Sequence, residues 1–223
     1  MSEFDRYGEG GYERALERAI SFGGRDAGFY NEVKARRLVD LVRRRVGDPS
    51  QLAALDVGAG IGLVDEHLKD DFARVVGLDV SSEMVKRASE RNPGVEYVAY
   101  DGTTFPFEGG TFDLVFASCV FHHVPPGERA RLAAEMARAT RAGGLTVVLE
   151  HNPINPATRL AVSRCEFDED AVLLRMSESR ALLTGAGLRE RERAYILFFP
   201  WRNRIERRLA RLPLGAQYYV AAG

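Results

Sequence analysis

Three acids, a glycine run and three histidines are the residues of this chain whose types and spacing could do chemistry. Leu55-Asp56-Val57-Gly58-Ala59-Gly60-Ile61-Gly62 follows an apolar run, Leu52 to Leu55. It precedes Leu63, Val64 and Leu68, which recur at helical spacing, so it reads as strand, tight glycine turn and helix. Glycines at 58, 60 and 62 permit positive φ and let a ligand approach without meeting a Cβ. Amides opening the following helix would favour an anionic group in the turn. A dinucleotide fingerprint, G-x-G-x-x-G, would put Leu63 where the third glycine belongs, and Asp56 would repel a pyrophosphate. An acid there suits a ligand with a cationic amine, so an NAD(P)-binding oxidoreductase is disfavoured. Asp79 and Asp101 close two further predicted strands, and Ser118 leads from the fourth into His122 and His123. His151 follows the fifth strand. In an open α/β sheet, ligands bind outside the carboxyl ends of the strands, where all of these residues fall.

The elements that position them alternate. Asn31 to Val46 reads as a helix with Val33, Leu38, Leu41, Val42 and Val46 on its apolar stripe. Strands are expected at Arg74 to Leu78, Val95 to Tyr100, Phe112 to Ala117 and Leu145 to Leu149. Helices are expected from Ser81 or Ser82 to Arg91 and from Gly127 to Thr140. The pattern pauses at 151–176, where two Asn-Pro pairs precede a short helix, Ala157 to Cys165. A connection that long is usually functional or a lid. Ser177 to Ala186 reads as a helix, Leu188 to Phe199 as a strand, Ile205 to Leu212 as a helix and Gln217 to Ala222 as a last strand. The aromatic, glycine-rich segment 1–30, with a helix from Tyr12 to Ile20, is read as an N-terminal lid. Residues 31–223 are read as the main domain, with 151–176 as a substrate-side insertion.

Composition bounds the function. The chain has 223 residues, 45% hydrophobic and 28% charged, enough for one globular domain with a substantial core. A net charge of −1 supplies no field for nucleic acid or an acidic membrane surface. No apolar run approaches the roughly 20 residues of a membrane span, and no signal-peptide pattern precedes Gly11. Two cysteines without CxxC spacing read as free thiols, so a cytoplasmic protein is expected.

With these residues in view, the sequence resembles the class I S-adenosylmethionine-dependent methyltransferases, small-molecule type 11 among them. The glycine stretch at 55–62 matches their first motif, and Val76-Gly77-Leu78-Asp79-Val80-Ser81 with Met84 the second. Tyr100-Asp101 with Phe105-Pro106-Phe107, and Phe112-Asp113-Leu114-Val115, resemble the third and fourth. Arg141-Ala142-Gly143-Gly144 is also typical. The resemblance implies a Rossmann-like α/β fold of seven strands, six parallel and one reversed, the reversed strand being Gln217 to Ala222, with helices on both faces. It implies S-adenosylmethionine as cofactor, with Gly58, Gly60 and Gly62 at the methionine end and Asp56 near the ammonium. Asp79 would accept from the ribose hydroxyls, which its two oxygens suit. Val80 would pack on the adenine, Asp101 and the Gly102 amide would reach its ring edge, and the Ser118 carbonyl would meet the ammonium. His123, His151 and His122 are the candidate bases. No metal is expected, because adjacency among His122, His123, Glu150 and His151 defines no ligand geometry. The expected partner is a small organic acceptor methylated at O or N, as in secondary metabolism, and the expected state is a monomer or homodimer. A protein of this fold that uses the cofactor structurally or for other chemistry is the alternative.

Overall fold

The computed structural model describes residues 27–165, 168–197 and 209–223. Among them, seven strands form one sheet in the order β3-β2-β1-β4-β5-β7-β6. In chain order these are β1 (Ala53–Val57), β2 (Arg74–Asp79), β3 (Glu96–Ala99), β4 (Phe112–Ser118), β5 (Thr140–His151), β6 (Glu190–Ile196) and β7 (Gln217–Ala222). β1 pairs in parallel with β2 and β4, β2 with β3, and β4 with β5. β7 alone runs against its neighbours β5 and β6, so the reversed strand is the one expected. The chain order reverses direction between β1 and β4, and a crevice opens there at the carboxyl edge.

Alternation along the central strands splits the core into two halves. Leu114 and Phe116 of β4 face one layer with Ala35, Leu38 and Val42 of helix α1 (Ala27–Arg45). Those three recur at i, i+3 and i+7, the face one helix stripe can bury. Val115 and Ala117 face the other layer, with Leu132 and Met136 of α3 (Arg129–Ala139) and Leu183 of α5 (Met176–Gly185). Each buried Val, Leu, Phe or Met among them stabilises by roughly 1.5–3 kcal/mol, and burial on both faces explains why these strands read as continuous apolar runs. Helix α2 (Ser82–Arg91) is capped as expected: the Ser81 side chain accepts from the Met84 amide at 3.2 Å. At the far edge of the sheet Asp113 ties three strands together. Its Oδ2 accepts from the Ala53 amide at 2.8 Å and its Oδ1 from Arg141 at 2.6 Å. Asp113 is thus a structural clamp, remote from the crevice.

Three expectations are corrected. The glycine turn is followed by turns and a three-residue 3-10 segment, Asp65–His67, so there is no α-helix N-terminus aimed at the turn. β5 starts at Thr140, five residues early: the chain passes Gly143 at φ +84, and Thr140 pairs with Phe112 across an irregularity in the ladder. The helix after the Asn-Pro pairs, α4 (Pro156–Val162), ends three residues before Cys165. The expected helices at Tyr12 to Ile20 and, for most of its length, Ile205 to Leu212 lie outside the described residues. No described helix is long and apolar enough to cross a membrane.

Candidate active site

The glycine turn is held from below. The amides of Gly58 and Ala59 donate to the Leu78 carbonyl at 2.7 and 3.1 Å, and the Gly60 amide donates to Asp79 Oδ2 at 2.8 Å. Asp79 Oδ1 accepts from the Ser81 amide at 2.9 Å. One carboxylate thereby fixes the turn and starts α2, and each oxygen keeps lone-pair capacity for a ligand. Gly62, at φ +73, lies behind the turn: its carbonyl accepts from Asn92 Nδ2 at 2.9 Å, the same nitrogen donates to Tyr97 Oη at 2.9 Å, and Tyr97 donates to Asp65 Oδ2 at 2.9 Å. Asp65 is fully buried, as is nearly all of Asp56 beside it. Among the described residues, Asp56 Oδ1 and Asp65 Oδ1 have no donor besides each other's carboxyl. Two buried carboxylates in contact need a proton between them. Burial, followed by the neighbouring acid, raises Asp56 well above the usual carboxylate range, and burial pushes Asp65 up to about 6. The pair therefore holds one negative charge between them.

A cavity of about 560 Å³ opens over the carboxyl ends of β1, β2 and β4. It brings together Asp56, Gly58, Gly60, Asp79, Val80, Gly102 and Ser118 with His123 and His151. Val80 is 46% exposed to it, an apolar face left open, and a Cβ on Gly102 would stand 3.4 Å from Val80. The Ser118 hydroxyl is buried without a partner. Three expected residues stand off the cavity wall. Gly62 supports the turn from behind. Asp101 is exposed, and its Oδ1 accepts from the Thr103 amide and hydroxyl at 2.8 and 2.6 Å, which holds its carboxyl below the usual range. His122 is buried behind His123.

The histidine end has its own electrostatics. His122 Nδ1 lies 2.7 Å from Glu150 Oε2, and its Nε2 lies 3.3 Å from Asp168 Oδ1. Burial opposes a charge on this ring, yet the two carboxylates win and push it up to about 10. His123 Nε2 is 3.4 Å from the same Asp168 oxygen, but burial and the adjacent His122 bring it down to about 4. Cys119 sits at φ +60 where β4 ends, and its Sγ accepts from Gln217 Nε2 at 3.3 Å. Burial works against a thiolate there, but His151 and Lys34 lower it to about 7. His151 is raised in turn: burial opposes its charge and Cys119 outweighs that.

Sequence reasoning missed Lys34, Cys119, Gln217 and Asp168. Lys34 carried the clearest signal, a lysine inside an arginine-rich amphipathic helix, but its face could not be assigned without the packing of α1. It lines the cavity at 7% exposure with Tyr30 and Asn31, and has no hydrogen-bond or ion-pair partner among the described residues.

Residues 55–148 match the family model described as "Methyltransferase domain". A demethylmenaquinone methyltransferase of Beutenbergia cavernae is 37% identical over 115 residues, 52% of this chain and 45% of that protein. A 2-methyl-6-phytyl-1,4-hydroquinone methyltransferase of Synechocystis sp. is 33% identical over 108 residues, 47% of this chain and 33% of that protein. The chain spans about half the length, or less, of the curated relatives it matches. Among solved structures, S-adenosylmethionine-dependent methyltransferases of Mesorhizobium loti and Thermotoga maritima superpose with TM-scores of 0.60 and 0.67. They are 22% and 18% identical, covering 82% and 95% of this chain and 95% and 97% of theirs. Domain match and sheet order agree: residues 55–148 match a methyltransferase domain, and the chain has the fold of the class I S-adenosylmethionine-dependent methyltransferases. S-adenosylmethionine is the cofactor of that class, and the residues present fit it. Asp56, backed by the buried Asp65, faces the cavity beside a buried lysine, and Val80 presents an open apolar face to the same cavity.

Proposed function

We propose that this chain transfers a methyl group from S-adenosylmethionine to an oxygen or nitrogen of a small organic acceptor, with a hydroxylated, hydroquinone-like ring as the favoured class. The observation that carries the reading is the continuity of one cavity from the glycine turn and Asp79 to His123 and His151. The two quinone-directed relatives favour a ring acceptor, as does the apolar wall supplied by Val124, Leu132 and Leu197.

Within this reading, Asp79 and Val80 hold the nucleoside end, with Gly102 beside them. Gly58 and Gly60 leave room for the methionine end, Asp56 faces its ammonium and Lys34 its carboxylate. When bound, the cofactor supplies a sulfonium methyl whose leaving group is a neutral thioether. The protein's task is therefore to align the acceptor and exclude water, worth on the order of 7–11 kcal/mol. Tyr30 and Asn31 of α1 and Ala157, Thr158 and Ala161 of α4 line the acceptor side, consistent with lid roles for the segments around 1–30 and 151–176. An acceptor that loses a proton needs a base, worth about 10²–10⁴-fold. His151 with Cys119 is better suited than His123. In that pair the imidazole is raised and the thiol is lowered to about 7, so a group able to take a proton stands at the cavity, whereas His123 is pushed down to about 4.

The experiment is transfer of labelled methyl from S-adenosylmethionine to panels of hydroquinones, phenols and amines. Turnover on a hydroxylated ring, reduced about 10²-fold by His151→Ala, supports the reading. Tight cofactor binding with transfer to neither panel would favour the structural-use alternative. Equal turnover in His151→Ala would remove the base assignment and leave alignment alone.

A further inference from the structure

We propose that His122, His123 and Asp168 form a three-ligand site for a divalent transition-metal ion of the zinc class, with Glu150 as its positioning residue and a fourth ligand position open to the cavity. This goes beyond the methyl-transfer reading and departs from the metal-free expectation. The proposed ligand set leaves out Glu150 and His151 and takes in Asp168, which lies far along the chain.

The geometry is that of a built site. His122, His123 and Asp168 each offer one ligand atom, and the three atoms lie within 4.8 Å of one another, close enough for small side-chain shifts to bring them onto one ion. The Asp168 oxygen stands 3.3 Å from His122 Nε2 and 3.4 Å from His123 Nε2. Tetrahedral coordination with metal–nitrogen bonds of about 2.05 Å and metal–oxygen bonds of about 2.1 Å puts such ligand atoms about 3.4 Å apart. His122 Nε2 is completely enclosed, and the Asp168 carboxylate is the group it faces among the described residues. Its other nitrogen, Nδ1, is held at 2.7 Å by Glu150, whose side chain is 0% exposed. With a proton kept on Nδ1 and donated to that carboxylate, an ion that displaces the Nε2 proton would find that lone pair aimed at it beside Asp168. This is the carboxylate–histidine arrangement that orients metal-binding imidazoles.

Asp168 does not arrive by chance. Its amide donates to the Cys165 carbonyl at 3.0 Å, and four residues on, the Val172 amide donates to the His122 carbonyl at 2.9 Å. Arg129 also reaches the Val172 carbonyl at 2.7 Å. The segment is thereby clamped against the histidine pair. His122 is 1% exposed and Asp168 10%, while His123 is 21% exposed and lines the cavity. The set is closed on one side and open toward the acceptor space. Two imidazoles and one carboxylate with an open position is a donor set that suits zinc or ferrous iron. An oxygen of the acceptor could fill that position. That role rests on the proposed function; the binding itself does not.

The test needs neither cofactor nor acceptor. The full chain is stripped with a chelator, then titrated with Zn²⁺ by calorimetry and with Co²⁺ by visible absorption. One equivalent should bind, with the intense d–d bands of tetrahedral Co²⁺, and Zn²⁺ should raise the melting temperature. His123→Ala and Asp168→Asn, each confirmed folded by circular dichroism, should weaken binding at least about 100-fold. Glu150→Gln should weaken it about 10- to 100-fold. Cys119→Ser and Cys165→Ser should leave it unchanged. No stoichiometric binding by the wild-type chain would overturn the proposal and identify His122 as an imidazolium bridging two carboxylates. Binding that survives both ligand substitutions, or is lost with a cysteine, would overturn it equally.

Discussion

Lys34 offers the sharpest single-residue test of the cofactor site. Its ammonium is delivered by α1 into a cavity wall at 7% exposure, with no hydrogen-bond or ion-pair partner among the described residues. Asp56 and Cys119 lie near enough to feel its charge without bonding it, which leaves its donors open to an anionic ligand group in the cavity. In the proposed binding mode that group is the cofactor carboxylate. Lys34→Met keeps the apolar stem and removes the charge. A charge-assisted hydrogen bond is worth about 1.5–3 kcal/mol, and 1.4 kcal/mol is tenfold. S-adenosylhomocysteine should therefore bind about 10- to 150-fold more weakly to Lys34→Met. Methylthioadenosine, which lacks the amino-acid end, should bind both proteins alike. Calorimetry with the two ligands separates the effects. Unchanged S-adenosylhomocysteine affinity in a folded variant, or an equal loss for methylthioadenosine, would refute the placement.

Further outcomes concern the scaffold. In Gly62→Ala the new Cβ would overlap Tyr97 Oη and stand 2.5 Å from Asn92 Nδ2, at φ +73. A loss of about 3 kcal/mol in urea unfolding is expected. Gly94→Ala, at φ +95 but with open space around it, should lose only the backbone contribution of about 1–2 kcal/mol; equal losses would show that the Tyr97 brace is unimportant. Glu192 is held down to about 2 by Arg44, against the cost of burial, with help from Tyr219 and Arg45. Its folded pKa is depressed, so its stabilisation is complete above about 4.5 and is lost as pH falls toward 2. The site is partly solvated, so the effect is about 1 kcal/mol. Melting curves of wild type and Glu192→Gln should differ at pH 6 and converge near pH 2; a constant gap would contradict the linkage.

What could be read from residue types was whatever local chemistry specifies. Gly58, Gly60 and Gly62 all take positive φ, Ser81 caps its helix, and Gln217 to Ala222 is the reversed strand with the bounds read from its sequence. The acids at 56 and 79 lie on the cavity because strand ends are marked by the change from apolar runs to turns. The turn after Gly62 was misread because Leu63, Val64 and Leu68 satisfy a helical spacing, while a compact series of turns buries Val64 and Leu68 and leaves Leu63 on the cavity wall. Asp101 ends its strand as expected, yet it spends an oxygen on Thr103, a local competition that spacing does not reveal. The Cys119–His151 and His122–Asp168 contacts join residues 32 and 46 positions apart by number, and only the packed sheet and the clamped segment after α4 bring them together.

The central claim is that the cavity over β1 and β2 is an S-adenosylmethionine site, and direct titration tests it most plainly. The intact chain is titrated by calorimetry with S-adenosylhomocysteine and, separately, with NAD(H), alongside Asp79→Ala. The account predicts one S-adenosylhomocysteine per chain with an affinity on the order of micromolar, which corresponds to about −8 kcal/mol. It predicts at least about tenfold weaker binding in folded Asp79→Ala and no specific response to NAD(H). Saturable NAD(H) binding with no response to S-adenosylhomocysteine would contradict it.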